Sequence, residues 1–263
     1  MPFTYKMEMF VKSKRVAKLR WITLDSTIIL VFSIMSMIFA AQASGQSNTF
    51  ILEDFEDARE GEVPDNWGYA SRDGSLEPMG RHMDQDQRFY IVEENNETFL
   101  RGETNGRRVR MSMSTNGENG NTAWSLNEYP ILSWRWRAQE LPPGAREDES
   151  DLNDTGAAVY VTFETNWLGL PRSIKYTYSS TLPVGTVVSF RGLRVVVVSS
   201  GRGGYENEWI SVKRDVVADY REYFGRSAPE MPIGISVWTD STETGTSSKA
   251  DFGLIKALRT TST

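Results

Sequence analysis

Short runs of alternating apolar and polar residues fill the sequence from Phe50 to Leu258, and residues that favour turns separate them. Asn-Gly pairs at 105–106 and 116–117 supply the positive φ angles of tight hairpins, and Pro183 and Gly185 lie at turn positions. Runs of this length and spacing are typical of half-buried strands in an all-β protein. The pattern predicts an antiparallel β-sandwich of jelly-roll type.

One segment departs from the strand pattern. Between Asp215 and Phe224 the apolar residues recur at the 3.6-residue spacing of a helix, Gly225 follows as a stop signal and Pro229 lies beyond it. We expect a single short α-helix near residues 215–224.

A basic stretch followed by an apolar stretch opens the chain. Six Lys and Arg residues lie within the first twenty positions, and residues 28–40 are apolar. A membrane-spanning helix needs about 20 apolar residues, and Ala41-Gln42-Ala43 fits a cleavage site. We predict that residues 1–43 are a signal peptide cleaved after Ala43, and that the protein is periplasmic or secreted. Retention of the segment as an anchor is the alternative.

The remainder of the chain is predicted to form one domain. It contains no internal repeat and no low-complexity linker, so the pattern predicts a single β-sandwich domain over residues 48–258. Residues 259–263 are expected to form a C-terminal tail.

Charge and composition exclude several classes of function. The net charge is -6, and loss of residues 1–43 would leave 23 Lys and Arg against 33 Asp and Glu, a net charge of -10. Because an acidic surface repels phosphate backbones, we expect no nucleic-acid partner. The absence of cysteine excludes disulfides and thiolate metal sites, and the single histidine, His82, excludes a two-histidine metal site. We predict no catalytic residue.

Several segments occur in the order found in a known family. They are Phe55-Glu56-Asp57, the stretch 61–67, the tryptophan strand 129–136, the stretch 153–161 and the last segment, 233–255. Together they resemble the bacterial exported family known as domain of unknown function 3047, over nearly the whole chain after residue 43. The resemblance implies a jelly-roll-like sandwich and export, and it implies no particular activity.

Two positions depart from what is usual in that family. Ala158 stands where an arginine is common, and the loop 239–244 contains fewer Asp and Asn residues. A site that the family shares at either position would be altered in this chain.

Aromatic residues are the first candidates for contact with a ligand. Strand alternation places Trp134 and Trp136 on one face of their strand, and Tyr176 and Tyr178 on one face of theirs. If these faces line an open cleft, the rings can stack on sugars, and if they face the other sheet, they fill the core. The sequence leaves both interpretations open.

Three further residues complete the ligand-binding candidates. Trp167 and Trp209 lie in loop-like sequence, where an exposed ring can stack on a sugar, and Asp240 lies in the loop after the penultimate strand.

A structural calcium ion is possible, although no cofactor is required. Glu56 and Asp57 lie near the first strand and Asp251 on the last, and carboxylate oxygens are the ligands that calcium prefers. Solvated acidic loops are the alternative interpretation of these residues.

The sequence-based hypothesis is an exported, non-catalytic protein that binds a glycan or polysaccharide and meets the membrane only through the signal segment during export. One alternative is an enzyme that acts on polysaccharide through carboxylate or Tyr and Arg groups. Another is a scaffold of the cell envelope that binds a second protein. The sequence does not indicate the oligomeric state.

Overall fold

The computed structural model describes residues 47–71, 74–118, 122–203 and 207–260, and a compact unit begins at Ser47. The predicted signal peptide, residues 1–43, lies outside the described residues, as do the last three residues of the predicted tail. In the described part of the chain, no helix has the length and apolar character needed to cross a membrane.

Two six-stranded sheets pack face to face. Sheet 1 contains β1 (Thr49–Glu53), β4 (Gln87–Glu94), β5 (Glu97–Asn105), β7 (Ile131–Glu140), β12 (Ile210–Asp215) and β14 (Ser247–Leu258). Its strands have the order β12-β7-β14-β5-β4, and β1 pairs with the C-terminal half of β14. Sheet 2 contains β6 (Arg108–Ser114), β8 (Thr155–Thr165), β9 (Pro171–Ser179), β10 (Val187–Ser189), β11 (Leu193–Ser200) and β13 (Gly234–Asp240). Its strands have the order β10-β11-β9-β8-β13-β6. A small hairpin joins β2 (Tyr69–Ala70) to β3 (Leu76–Glu77).

The strand pairs among the described residues are antiparallel, except that β9 and β11 run parallel. The prediction of an all-β sandwich with antiparallel sheets is confirmed. The two-residue strands β2 and β3 were not predicted, because segments this short carry no periodicity.

The core between the sheets contains the aromatic pairs that the sequence placed on single strand faces. Trp134 and Trp136 of β7 contact Tyr176 and Tyr178 of β9 across the sandwich, with ring centroids 5.4 and 5.8 Å apart. All four side chains are at most 2% exposed, and the Trp136 Nε1 atom donates a hydrogen bond to the Ser199 Oγ atom at 3.1 Å. The assignment of these four residues to ligand binding is therefore wrong, because their rings fill the space between the sheets and no ligand in solvent can reach them.

The predicted helix is α1 (Val216–Phe224), and it packs against the core at one edge of the sandwich. The Asp215 carboxylate caps its first turn by accepting a hydrogen bond from the Ala218 N–H at 2.8 Å. The helix ends at Gly225, whose φ of 67° favours glycine. The Tyr220 side chain is fully buried against Phe163, which fixes the helix on the sandwich.

Candidate functional site

The outer face of sheet 2 carries a row of aromatic and cationic side chains. Arg110, Trp238, Tyr160 and Lys175 lie on β6, β13, β8 and β9, which are neighbouring strands. Register pairs Trp238 with Arg110, and Tyr160 with Lys175. Because the residues next to them in sequence face the core, alternation directs these four side chains outward. We call Arg110, Tyr160, Lys175 and Trp238 the platform.

The platform side chains stack on one another across the strands. The rings of Tyr160 and Trp238 are 5.2 Å apart at an angle of 24°. The Arg110 Cζ atom lies 5.1 Å from the centroid of the Trp238 ring, and the Lys175 Nζ atom lies 5.9 Å from that of Tyr160. Each aromatic ring thus has one aromatic and one cationic neighbour.

The row continues beyond Arg110. Its Cζ atom lies 5.7 Å from the Tyr69 ring, and the imidazole of His82 stacks on Tyr69 at 3.8 Å and 9°. The His82 Nε2 atom is 3.1 Å from the Glu77 Oε2 atom, so the one histidine of the chain is held in place beside the platform.

The polar groups of the platform lack hydrogen-bond partners among the described residues. The Trp238 Nε1 and Arg110 Nε atoms are buried without a partner. The Tyr160 hydroxyl and the Lys175 ammonium also have no hydrogen-bond partner in the described chain. Lys175 is only 5% exposed. The Trp238 and Arg110 nitrogen atoms are enclosed by the protein, so the platform groups that can donate to an external ligand are the Tyr160 hydroxyl and the Lys175 ammonium.

Carboxylates surround the Lys175 end of the platform. The Glu147 side chain is fully buried and accepts hydrogen bonds from the hydroxyls of Thr177 at 2.9 Å and Ser179 at 2.5 Å. Burial lowers the pKa of Lys175, and the charges of Glu147 and Asp240 partly oppose this shift. A lysine that is buried without an ion pair costs stability, and such a cost is common at binding sites.

Three of the carboxylates form an acidic cluster at the end of β13. One carboxyl oxygen from each of Asp154, Asp240 and Glu243 lies within 4.8 Å of the other two. A hydrogen bond to Asp154, followed by burial and the charge of Asp240, raises the pKa of Glu243 to about 7. Burial also raises the pKa of Asp240. One of these carboxyls can therefore carry a proton near neutral pH.

The acidic cluster is already supplied with hydrogen bonds. Both oxygens of Asp154 accept from the loop after β13, from the Glu243 N–H at 3.0 Å and the Thr244 N–H at 2.8 Å. Asp240 Oδ1 accepts from the Thr242 hydroxyl at 2.6 Å. Because these donors already hydrogen-bond to oxygens of Asp154 and Asp240, we assign no metal ion to the cluster.

The residues proposed for calcium do not come together as a set. The Asp251 carboxylate is fully buried on the outer face of sheet 1, where it accepts from Arg101 Nε at 2.7 Å, Arg137 Nε at 2.8 Å and Gln139 Nε2 at 2.6 Å. Glu56 and Asp57 are exposed in the loop after β1. The assignment of these three residues to one metal site is wrong, because two arginines occupy the oxygens of Asp251.

The other candidate residues are dispersed. Trp167 is 90% exposed at the tip of the β8–β9 hairpin. Trp209 lies over the outer face of sheet 1, with its ring 5.3 Å from that of Phe99 and 4.5 Å from the Arg135 Cζ atom. Asp240 alone lies beside the platform, two residues after Trp238.

Sequence reasoning missed all four platform residues. The signal was present in Val159-Tyr160-Val161 and in Val237-Trp238-Thr239, where one aromatic residue alternates with two that face the core. Once one face of a strand is known to be buried, an aromatic residue of opposite parity must lie on the outside.

Solved structures with a similar arrangement of strands include proteins that bind or cleave polysaccharides. The family 11 carbohydrate-binding module of the cellulosomal cellulase Lic26A-Cel5E of Clostridium thermocellum is 11% identical, with coverage of 81% of this chain and 95% of that chain and a TM-score of 0.40. A module specific for non-crystalline cellulose is 12% identical, with coverage of 80% and 91% and a TM-score of 0.34. The xyloglucanase domain of NopAA from Sinorhizobium fredii is 11% identical, with coverage of 68% and 90% and a TM-score of 0.36.

Because these TM-scores are below 0.5, we infer function from the residues of this chain instead. A search of the curated proteins finds no match. The profile of the family described as "Protein of unknown function (DUF3047)" matches residues 76–256, and the chain therefore belongs to this family.

Proposed function

We propose that the protein binds a glycan on the platform of sheet 2. The observation that supports this most is the row of two partly exposed aromatic rings, Tyr160 and Trp238, flanked by the cationic side chains of Lys175 and Arg110. Sugars present apolar C–H groups and many hydroxyls, so they match a surface that offers aromatic rings together with N–H and O–H groups.

The layout of the platform favours an extended ligand. Its four residues lie on four adjacent strands, and three strand spacings amount to about 14 Å. A linear oligosaccharide that crosses the strands would meet Arg110, Trp238, Tyr160 and Lys175 in turn. The carboxylates of Asp240, two residues beyond Trp238 on β13, and of Glu243 would accept hydrogen bonds from sugar hydroxyls on that side of the platform.

The test is a screen of immobilised polysaccharides, followed by affinity electrophoresis with those retained. We expect Trp238→Ala to weaken binding about tenfold or more, which corresponds to about 1.4 kcal/mol. Trp167→Ala and Trp209→Ala are matched controls, because they remove indole rings that lie away from the platform. Retention of no polysaccharide, or equal losses in all three variants, would contradict the proposal.

Substitution of Lys175 distinguishes a role of this residue in glycan binding from a role in stability. A structural lysine would make Lys175→Met less stable than the wild type. A lysine kept for its ligand predicts instead that Lys175→Met melts at the same temperature or higher, because burial already disfavours its charge, while glycan affinity falls. Thermal unfolding and affinity electrophoresis on the same preparation give both values.

One observation favours a second function, hydrolysis of the bound glycan. Glu243, whose pKa is raised to about 7, and Asp240 have carboxyl oxygens within 4.8 Å of each other, close to the platform. Retaining glycosidases hold an acid and a nucleophile about 5 Å apart. Glu243 would then donate a proton to the glycosidic oxygen. New reducing ends released by the wild type but not by Glu243→Gln would support this function, and inertness towards every retained polysaccharide would refute it.

We also propose that the chain is exported, and that residues 1–43 are removed in the process. The basic and apolar stretches and the Ala-Gln-Ala sequence support this proposal. N-terminal sequencing of the protein from its natural source tests it, with Ser44 as the expected first residue.

A further inference from the structure

The tip of the β8–β9 hairpin exposes apolar side chains that nothing in the described chain covers. Trp167 is 90% exposed, Leu168 55% and Leu170 40%. The Asn166 Oδ1 atom accepts hydrogen bonds from the Leu168 N–H at 2.9 Å and the Leu170 N–H at 3.0 Å, and Gly169 adopts a φ of 72°. The hairpin thus holds its shape through its own backbone contacts, and its apolar side chains are left free to contact another surface.

Two other segments add apolar side chains at the same end of sheet 2. Leu193 pairs with Ser173 and Gly234 pairs with Thr162, so the residues that precede Leu193 and Gly234 lie near the hairpin. These segments expose Phe190 (43%), Met231 (38%) and Ile233 (36%). Six of the ten large apolar side chains that the described residues expose are therefore gathered at one end of one sheet, which is more than the scattered exposure of an ordinary surface.

Arginines surround this apolar end. The guanidinium groups of Arg172 and Arg194 lie 5.5 and 4.8 Å from the Phe224 ring, and Arg172 and Arg226 both contact the Glu164 carboxylate.

Arg191 is a fourth arginine here, exposed next to Phe190. The acidic residues of these segments are Glu164 and Glu230, which precedes Met231. The four arginines outnumber them, so the net charge of this end is positive. The rest of the chain after residue 43 is acidic, so this end differs in sign from the protein as a whole.

We propose that this end of sheet 2, which we call the hairpin end, docks on an anionic lipid bilayer. Tryptophan and leucine side chains suit the boundary between headgroups and acyl chains, and flanking arginines are attracted to anionic headgroups. Charge complementarity favours this occupant over a second copy of the chain, because two positive ends repel each other. The contact is distinct from passage of the predicted signal peptide through the membrane, and it does not depend on glycan binding at the platform.

The test measures co-flotation of residues 44–263 with vesicles of phosphatidylcholine, with and without added phosphatidylglycerol. This segment holds the whole compact unit and lacks the apolar leader, and circular dichroism verifies that it is folded. We expect binding to the vesicles with phosphatidylglycerol only, and release when salt is raised, because screening weakens the arginine contribution.

Matched variants assign the binding to the hairpin end. Leu168→Ala should reduce the bound fraction several-fold, whereas Ile51→Ala, which truncates a side chain of almost equal exposure (54%) on β1, should not. Arg191→Gln should weaken binding, and Arg81→Gln, which removes an exposed charge elsewhere, should not.

The proposal is overturned if the wild type fails to float with either vesicle, or if the Leu168 and Ile51 variants bind equally. It is also overturned if binding is the same with and without phosphatidylglycerol. Concentration-dependent dimerisation that Leu168→Ala abolishes, without vesicle binding, would identify a second copy of the chain as the occupant and refute the bilayer.

Discussion

Replacement of Asp251 by asparagine should cost more stability than any other single change of charge in sheet 1. The Asp251 carboxylate is fully buried, and its two oxygens accept from Arg101, Arg137 and Gln139 at 2.6 to 3.1 Å. Asparagine keeps the shape of the side chain but removes its charge. The two guanidinium groups, which are only 14 and 15% exposed, would then lose their main counter-charge.

The magnitude follows from what each arginine retains. Breaking a buried ion pair costs about 3–5 kcal/mol. Arg137 keeps its contact with the Glu94 Oε2 atom at 2.8 Å, whereas the nearest approach of Arg101 to that atom is 4.0 Å. We therefore expect a loss near the lower end, about 3 kcal/mol, which at about 2–4 °C per kcal/mol lowers Tm by about 6–12 °C.

Urea unfolding monitored by circular dichroism measures this loss, with the m-value unchanged. The matched control is Asp148→Asn, which removes a 35% exposed partner of Arg146 and should cost about 0–1 kcal/mol. The reasoning is refuted if the two variants lose similar amounts. If Asp251 were a calcium ligand, chelation of calcium would reproduce the loss in the wild type, and we expect that chelation has no such effect.

Three further predictions concern the core and the titratable groups. Trp134→Ala should cost about 3–5 kcal/mol in urea unfolding because it leaves a large cavity between the sheets, whereas Trp167→Ala should stay within about 0.5 kcal/mol of the wild type. Burial alone would raise the pKa of Glu103, but hydrogen bonds from nearby cations lower it to about 2, so its stabilisation is full above about pH 4.5 and is lost towards pH 2. Glu103→Gln should therefore lower Tm at pH 7 and have little effect near pH 2, and an effect that does not depend on pH would contradict this ion pairing. The raised pKa of Glu243 has the opposite effect on stability, which falls as pH rises from about 4.5 to about 7. Glu243→Gln should therefore raise Tm at pH 8 and leave it unchanged at pH 4.

Local signals in the sequence predicted the helix and the class of fold. The start of α1 depends on the Asp215 side chain and its end on Gly225, and both act within one turn of the helix. Strand alternation likewise placed Trp134 and Trp136 on a common face. Such signals act between residues close in sequence, so a single chain is enough to read them.

The sequence could not show which face of a strand is buried. Trp134 and Tyr160 are both aromatic residues in alternating strands, yet one lies between the sheets and the other on the outside. The difference arises from packing between strands that are distant in sequence. Asp251 illustrates the same limit, because its partners Arg101 and Arg137 are 150 and 114 residues away along the chain. A carboxylate on the last strand therefore suggested a metal ligand, whereas two arginines from other strands neutralise it.

The most direct test of the platform is the NMR signal of the Trp238 Nε1–H group during titration with a polysaccharide fragment selected in the screen. The Trp238 ring is partly exposed on the platform, so a glycan that packs against it would change the environment of this N–H group. We predict that the Trp238 indole signal, identified by its absence in Trp238→Ala, shifts in a saturable way while the signals of Trp167 and Trp209 stay in place. A saturable shift at Trp167 or Trp209 with none at Trp238 would contradict glycan binding on sheet 2.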